Sequence, residues 1–160
     1  MQNEPYLKDG RLADVIAAIT ALGNFRYYKL PLSSAAERIA NSPDQVSKWE
    51  KVFREHPEFF RISGDIAKVC LVWRRQYPKL YDTNTANEIT RAAYDDLDIE
   101  GRKAISRKPL NASEITALIN IATDLHAHSL ERAKARKWWI PIATASLGFL
   151  GALVGALIGS

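Results

Sequence analysis

The sequence predicts a mainly α-helical chain with a small β-hairpin, a long stalk helix and one C-terminal transmembrane helix. Three observations carry that expectation. Apolar residues return at three- and four-residue spacing in the N-terminal part, two β-rich runs flank a Gly-Asp dipeptide, and residues 138–159 contain no charged side chain. The last segment is about 22 residues long. At about 1.5 Å per residue it reaches roughly 33 Å, enough to cross a hydrocarbon core of about 30 Å.

In the first helix, Leu12, Val15, Ile16, Ile19 and Leu22 share one face over residues 11–22, and Gly23 closes it with the residue best suited to a left-handed C-terminus. Residues 25–30 (FRYYKL), aromatic and bounded by Gly23-Asn24 and Pro31, read as a strand. Ser34 with Glu37 forms a capping box for a short helix carrying Ala36, Ile39 and Ala40, ended by Asn41. Ser42, Pro43, Asp44 and Gln45 then supply an N-cap, a first-turn proline, an acid and a glutamine, each favouring the positive end of a third helix. Val46, Trp49, Phe53 and His56 lie on its apolar face, Ser47, Lys48, Lys51, Arg54 and Glu55 on the other, and Pro57 stops it. Residues 58–63 and 66–75 read as two strands joined by Gly64-Asp65, which supplies the positive φ of a tight turn.

The resulting order, helix, strand, helix, helix, strand, strand, resembles the winged helix-turn-helix fold over roughly residues 6–81. The stretch AERIANSPDQVSKWEKV is similar to the helix-turn-helix pair, with Asn41 where many members have glycine. The wider stretch PEFFRISGDIAKVCLVWRRQYPKLYD resembles short bacterial membrane-anchored proteins, some labelled N-carbamoyl amino-acid hydrolase. That label implies clustered metal ligands, which this sequence does not offer.

Four segments follow: a winged-helix-like head at 1–81, a connector with a short helix at 82–111, a stalk helix at 112–137 and the transmembrane helix at 138–160. In the connector, Thr85 is placed to cap a helix carrying Ile89, Ala92, Ala93 and Leu97. Asp95, Asp96, Asp98 and Glu100 precede Arg102, Lys103, Arg107 and Lys108, either as a solvated segment or as patches that pair between copies. Pro109 and Asn111 before Glu114 give a cap-like start to the stalk, in which Ile115, Leu118, Ala122, Leu125 and Ser129 have the spacing of a helix–helix seam.

Arg132, Lys134, Arg136 and Lys137 directly precede the apolar segment, so the positive-inside bias predicts a single-pass inner-membrane protein with a cytoplasmic N-terminal part. Trp138 and Trp139 suit the headgroup region. Gly148, Gly151, Gly155 and Gly159 include two small-xxx-small steps, read either as a self-association seam or as the ordinary composition of such spans. The lone cysteine, Cys70, cannot form an internal disulfide, suits a reducing compartment and reads as a core residue.

Net charge is a modest +4, so charge alone does not imply nucleic acid. If the winged-helix resemblance holds, Ser47, Lys48, Lys51 and Arg54 would face DNA, with Arg61 and Lys68 flanking the wing tip, while Glu50, Glu55 and Asp65 dilute the positive field. The density of aromatic side chains, among them Tyr27, Tyr28, Trp49, Trp73 and Tyr77, favours a protein partner, and residues 74–79 offer a basic and aromatic surface to lipid headgroups or an acidic partner. His126 and His128 point about 200° apart on a helix, Asp124 and His128 form a local helix pair, and neither a phosphate loop nor a nucleophile elbow is present. The expectation is a non-enzymatic scaffold without a cofactor. It would self-associate through stalk and span and present its head to an unidentified cytoplasmic protein. The alternatives are a membrane-tethered DNA-binding regulator and a small membrane-perturbing effector.

Overall fold

The computed structural model of the chain describes residues 4–64 and 67–137. Helix α1 (Arg11–Asn24) places Val15, Ile19 and Leu22 in the core, as their spacing predicts, with Ala18 beside them, while Leu12 and Ile16 are partly buried. A two-residue strand, β1 (Leu30–Pro31), leads into α2 (Leu32–Ala40), which starts without a side-chain cap and ends at Asn41 in the left-handed conformation. A single 3-10 turn at Pro43–Gln45 precedes α3 (Val46–Glu55), which buries Trp49, Val52 and Phe53. Strands β2 (Phe60–Ser63) and β3 (Lys68–Leu71) form the expected hairpin, but the strand expected over 66–75 ends at Leu71 and gives way to a 3-10 helix at Val72–Gln76; β1 adds to β3, giving an antiparallel sheet of order β1-β3-β2. Helices with small sheets in this order are compatible with a winged-helix-like fold.

The expected strand over 25–30 is confined to its last residue and Pro31. The carbonyls of Phe25, Arg26 and Tyr27 instead accept hydrogen bonds from the guanidinium of Arg74, so they are not available for a ladder. The connector is also more structured than its composition suggests. Strands β4 (Tyr81–Asp82), β5 (Asn87–Glu88) and β6 (Ile105–Ser106) make a second antiparallel sheet of order β5-β4-β6, around two one-turn helices, α4 (Arg91–Asp95) and α5 (Ile99–Lys103). Their caps are Thr90 and Asp98, whose side-chain oxygens accept from the backbone N–H groups of Ala93 and Gly101; Thr85 lies in the preceding turn and donates to Asp82. In that turn Ala86 adopts φ 57°, a left-handed conformation that costs a Cβ-bearing residue about 1 kcal/mol. Replacing Ala86 by glycine should raise the melting temperature by roughly 1–3 °C; a lower melting temperature would show that the turn is not strained.

Helix α6 (Ala112–Lys137) begins with a reciprocal cap, in which Asn111 Oδ1 accepts from the Glu114 N–H and Glu114 Oε2 from the Asn111 N–H, each at 2.9 Å. Ile115, Leu118 and Ala122 are buried in the same core as α1, and Ser129 is also buried. The seam expected between copies is therefore occupied within the chain. Gly23 makes the close approach: a Cβ there would lie 3.2 Å from the Ile115 side chain.

The expected fold class is corrected at the C-terminus. Among the described residues no helix is long and apolar enough to cross a membrane. Helix α6, although 26 residues long, carries Glu114, Asp124, Glu131, Arg132 and Lys134 along its length, and burying such groups in hydrocarbon is expensive. The apolar segment 138–160, with Trp138, Trp139, Gly148, Gly151, Gly155 and Gly159, lies outside the described residues.

The N-terminal segment is tied down by a polar cluster. Tyr6 donates its hydroxyl to Glu58 at 2.6 Å, the same carboxylate oxygen lies 3.0 Å from Nδ1 of buried His56, and His126 Nδ1 lies 2.9 Å from the Tyr6 carbonyl. Burial alone would raise the pKa of Glu58, but the hydrogen bonds from His56 and Tyr6 outweigh it and hold the carboxyl below its usual range. A carboxyl depressed on folding stabilises the native state above its unfolded pKa, and that contribution is lost as pH falls through the folded value. Melting temperature should therefore drop as pH falls below about 4.5, and Glu58→Gln should narrow the difference between pH 6 and pH 3.5. Some difference should remain, because Glu55, paired with Lys8 and Arg11, is depressed as well. An unchanged difference would remove Glu58 from the acid response.

Candidate anion-binding cleft

Strand alternation divides the hairpin into two faces. Phe60, Val69 and Leu71 are buried in the core, where Phe60 meets Phe53 of α3 at 5.1 Å between ring centroids. Their neighbours Arg61, Ser63, Lys68 and Cys70 consequently project from the opposite face. Register places Arg61 across from Cys70 and Ser63 across from Lys68. This outer face is the floor of a cleft of about 650 Å³.

The walls come from distant parts of the chain. Tyr27, Tyr28 and Lys29 flank the floor on one side, Lys103, Ile105, Ser106 and Arg107 on another, and Arg75 and Lys79 complete the lining. The walls are joined to each other: the Tyr28 N–H donates to Ser106 Oγ at 2.8 Å, Arg107 donates to the carbonyls of Arg75 and Tyr77, and the Arg107 guanidinium lies 5.1 Å from the Tyr28 ring centroid.

Among the described residues the lining contains seven lysine and arginine side chains, Lys29, Arg61, Lys68, Arg75, Lys79, Lys103 and Arg107, and no carboxylate. Lys103 is neutralised by Glu100 at 2.6 Å, and Lys29 donates to Ser63 Oγ at 3.2 Å. Arg61, Lys68, Arg75 and Lys79 form no ion pair among the described residues. Like charges held in one concave site focus a positive potential on whatever enters it. Burial and the neighbouring Cys70 push the Tyr28 hydroxyl up to about 12, against the opposing pull of Arg107 and Arg75, so it stays a neutral donor near pH 7.

The expected DNA-facing residues separate into two places. Ser47, Lys48, Lys51 and Arg54 lie on the exposed side of α3, where Lys48 pairs with Asp14 at 2.8 Å and Arg54 with Glu50 at 2.6 Å. Arg61 and Lys68 belong instead to the cleft, on the face of the sheet turned away from α3. Arg132 and Lys134 are exposed near the end of α6, and Arg136 and Lys137 occupy its last turn. The segment 74–79 contributes Arg75 and Lys79 to the cleft, and the connector's basic patch contributes Lys103 and Arg107. Lys29 was not singled out by the sequence, and only the tertiary contacts of the 25–29 loop bring it there. His126 and His128 are engaged separately, with the Tyr6 carbonyl and with Glu131, and the described residues contain no grouping of metal-ligating side chains.

Comparison with known protein families, curated sequences and solved structures finds no match for this chain.

Proposed function

We propose that this protein is a non-enzymatic binding module whose winged-helix-like head holds a phosphate-bearing ligand in the basic cleft. The observation that carries the reading is the convergence of seven cations, from the head and from the connector, without a carboxylate among the described lining residues. Chloride or a single carboxylate ligand would leave most of that charge uncompensated, whereas phosphates accept several charge-assisted hydrogen bonds each. The α3 face is a weaker basis for DNA binding, since two of its three cations are already paired with acids. The cluster Arg132, Lys134, Arg136 and Lys137 supports a location beside anionic lipid headgroups.

Titration of the full-length protein with tripolyphosphate tests the proposal. Binding should be measurable at low salt and should weaken strongly between about 50 and 300 mM salt, because the contacts are ionic. Absence of binding at low salt would sink the assignment of the cleft.

A further inference from the structure

We infer that the phosphates belong to a nucleoside polyphosphate, with the phosphate chain on Arg61, Lys68 and Lys29 and the base against Tyr27; this rests on the phosphate-binding reading of the cleft. The charge comes first. Six of the seven cations form no ion pair among the described residues, and four of them, Arg61, Lys68, Arg75 and Lys79, form no side-chain hydrogen bond either; together they exceed what one phosphate can neutralise and match a ligand carrying two or more phosphates in a row.

The floor sets the spacing. Arg61 faces Cys70 and Lys68 lies two residues along β3 from Cys70, so the two cations are diagonal neighbours, roughly 7–8 Å apart at the backbone. Their long side chains can converge on adjacent phosphates. Lys29, whose Nζ lies 3.2 Å from the hydroxyl of Ser63 opposite Lys68, adds a third cation at that end.

The aromatic wall supplies the second half of the ligand. Two guanidinium groups already lie against the Tyr28 ring, Arg107 at 5.1 Å and Arg74 at 6.0 Å, against one at Tyr27. Tyr27 is half-buried, and its ring meets Phe25 edge-on at 5.7 Å and Arg26 at 5.0 Å. A planar base can stack on such a ring. The volume of about 650 Å³ is that of a compact ligand of this size, with Lys103, Ile105, Ser106 and Arg107 forming part of its wall.

The test compares three ligands on the full-length protein: tripolyphosphate, adenosine and guanosine triphosphates, and a single-stranded oligonucleotide of about 12 residues. The nucleoside triphosphates should bind at least roughly tenfold more tightly than tripolyphosphate, and Tyr27→Ala should remove that margin without weakening tripolyphosphate. Equal affinity of wild-type protein for triphosphate and tripolyphosphate overturns base recognition while leaving the phosphate site intact. Binding of neither overturns the site itself. An oligonucleotide that binds far more tightly than the triphosphates overturns the compact ligand in favour of a strand. The wild-type comparison decides these outcomes even if Tyr27→Ala does not fold.

Discussion

Replacing Arg74 by methionine should lower the melting temperature by roughly 10 °C or more, the largest effect expected for any single side chain outside the apolar core. Arg74 is completely buried and pairs with no carboxylate among the described residues. Its guanidinium donates to six backbone carbonyls: Leu22, Phe25, Arg26 and Tyr27 on one side, Arg107 and Lys108 on the other. Leu22 lies in the last turn of α1, where the unpaired carbonyls carry the negative end of the helix dipole. Burial pushes the Arg74 pKa down to about 10, still high enough to keep the charge at neutral pH.

Methionine would conserve much of the volume and leave these carbonyls without donors in a site that water does not reach. A cost of about 3–5 kcal/mol follows from losing one partner of a buried charged network, which converts to roughly 6–20 °C for a chain of this size. Arg74→Lys should rescue little, because an ammonium has three donors on a point charge where the guanidinium has five in a planar fork. The loss should also reach the cleft, since Arg74 pins both the loop carrying Tyr27 and the segment carrying Arg107. Thermal melting of the two variants checks this. A methionine variant melting within about 3 °C of wild type would show that the carbonyls find other donors.

The double substitution Arg61→Glu and Lys68→Glu should weaken tripolyphosphate binding by roughly a hundredfold or more, with folding unimpaired. A charge-assisted hydrogen bond is worth about 1.5–3 kcal/mol, and every 1.4 kcal/mol is tenfold in affinity. Removing two such contacts and replacing attraction by repulsion exceeds the hundredfold mark. Both side chains are exposed, and neither forms an ion pair among the described residues. Introducing acids among seven cations relieves repulsion, so the variant should melt at the same temperature as wild type or above it. Natural binding sites often hold such unfavourable charge arrangements for the sake of their ligand. The control is Lys51→Glu with Arg54→Glu on α3, which should leave tripolyphosphate binding unchanged. The opposite pattern, with binding lost in the α3 variant and kept in the cleft variant, would return the site to the exposed face of that helix.

Local chemistry was enough to locate much of this architecture. Apolar spacing placed α1 and the buried face of α3, Asn41 and Gly64 marked turns that need positive φ, and the Asn111–Glu114 pair announced the start of α6. These signals act within one turn of helix or one pair of strands, so neighbouring residues suffice to read them. The strand expected over 25–30 failed for a nonlocal reason, because its carbonyls are claimed by Arg74 from 47–49 positions away. The 112–137 helix looked like a stalk with a seam for another copy, since periodicity shows that a face is apolar and not what covers it. What covers it is α1 of the same chain.

The candidate site divides in the same way. Alternation in the FRIS and KVCL strands is enough to put Arg61 and Lys68 on one face, away from Phe60, Val69 and Leu71. The sequence by itself therefore determined the floor, along with the turns at Asn41 and Gly64 and the start of α6, but not the start of α2, which lacks the Ser34 cap, nor the end of α1, which runs past Gly23 to Asn24. Only the tertiary structure could join Lys29, Arg75, Lys79, Lys103 and Arg107 to that floor, because those side chains come from segments held together by the Arg74 carbonyl network and the second sheet. Charge is legible one residue at a time, but a cleft is a property of how chain segments far apart in sequence pack against each other.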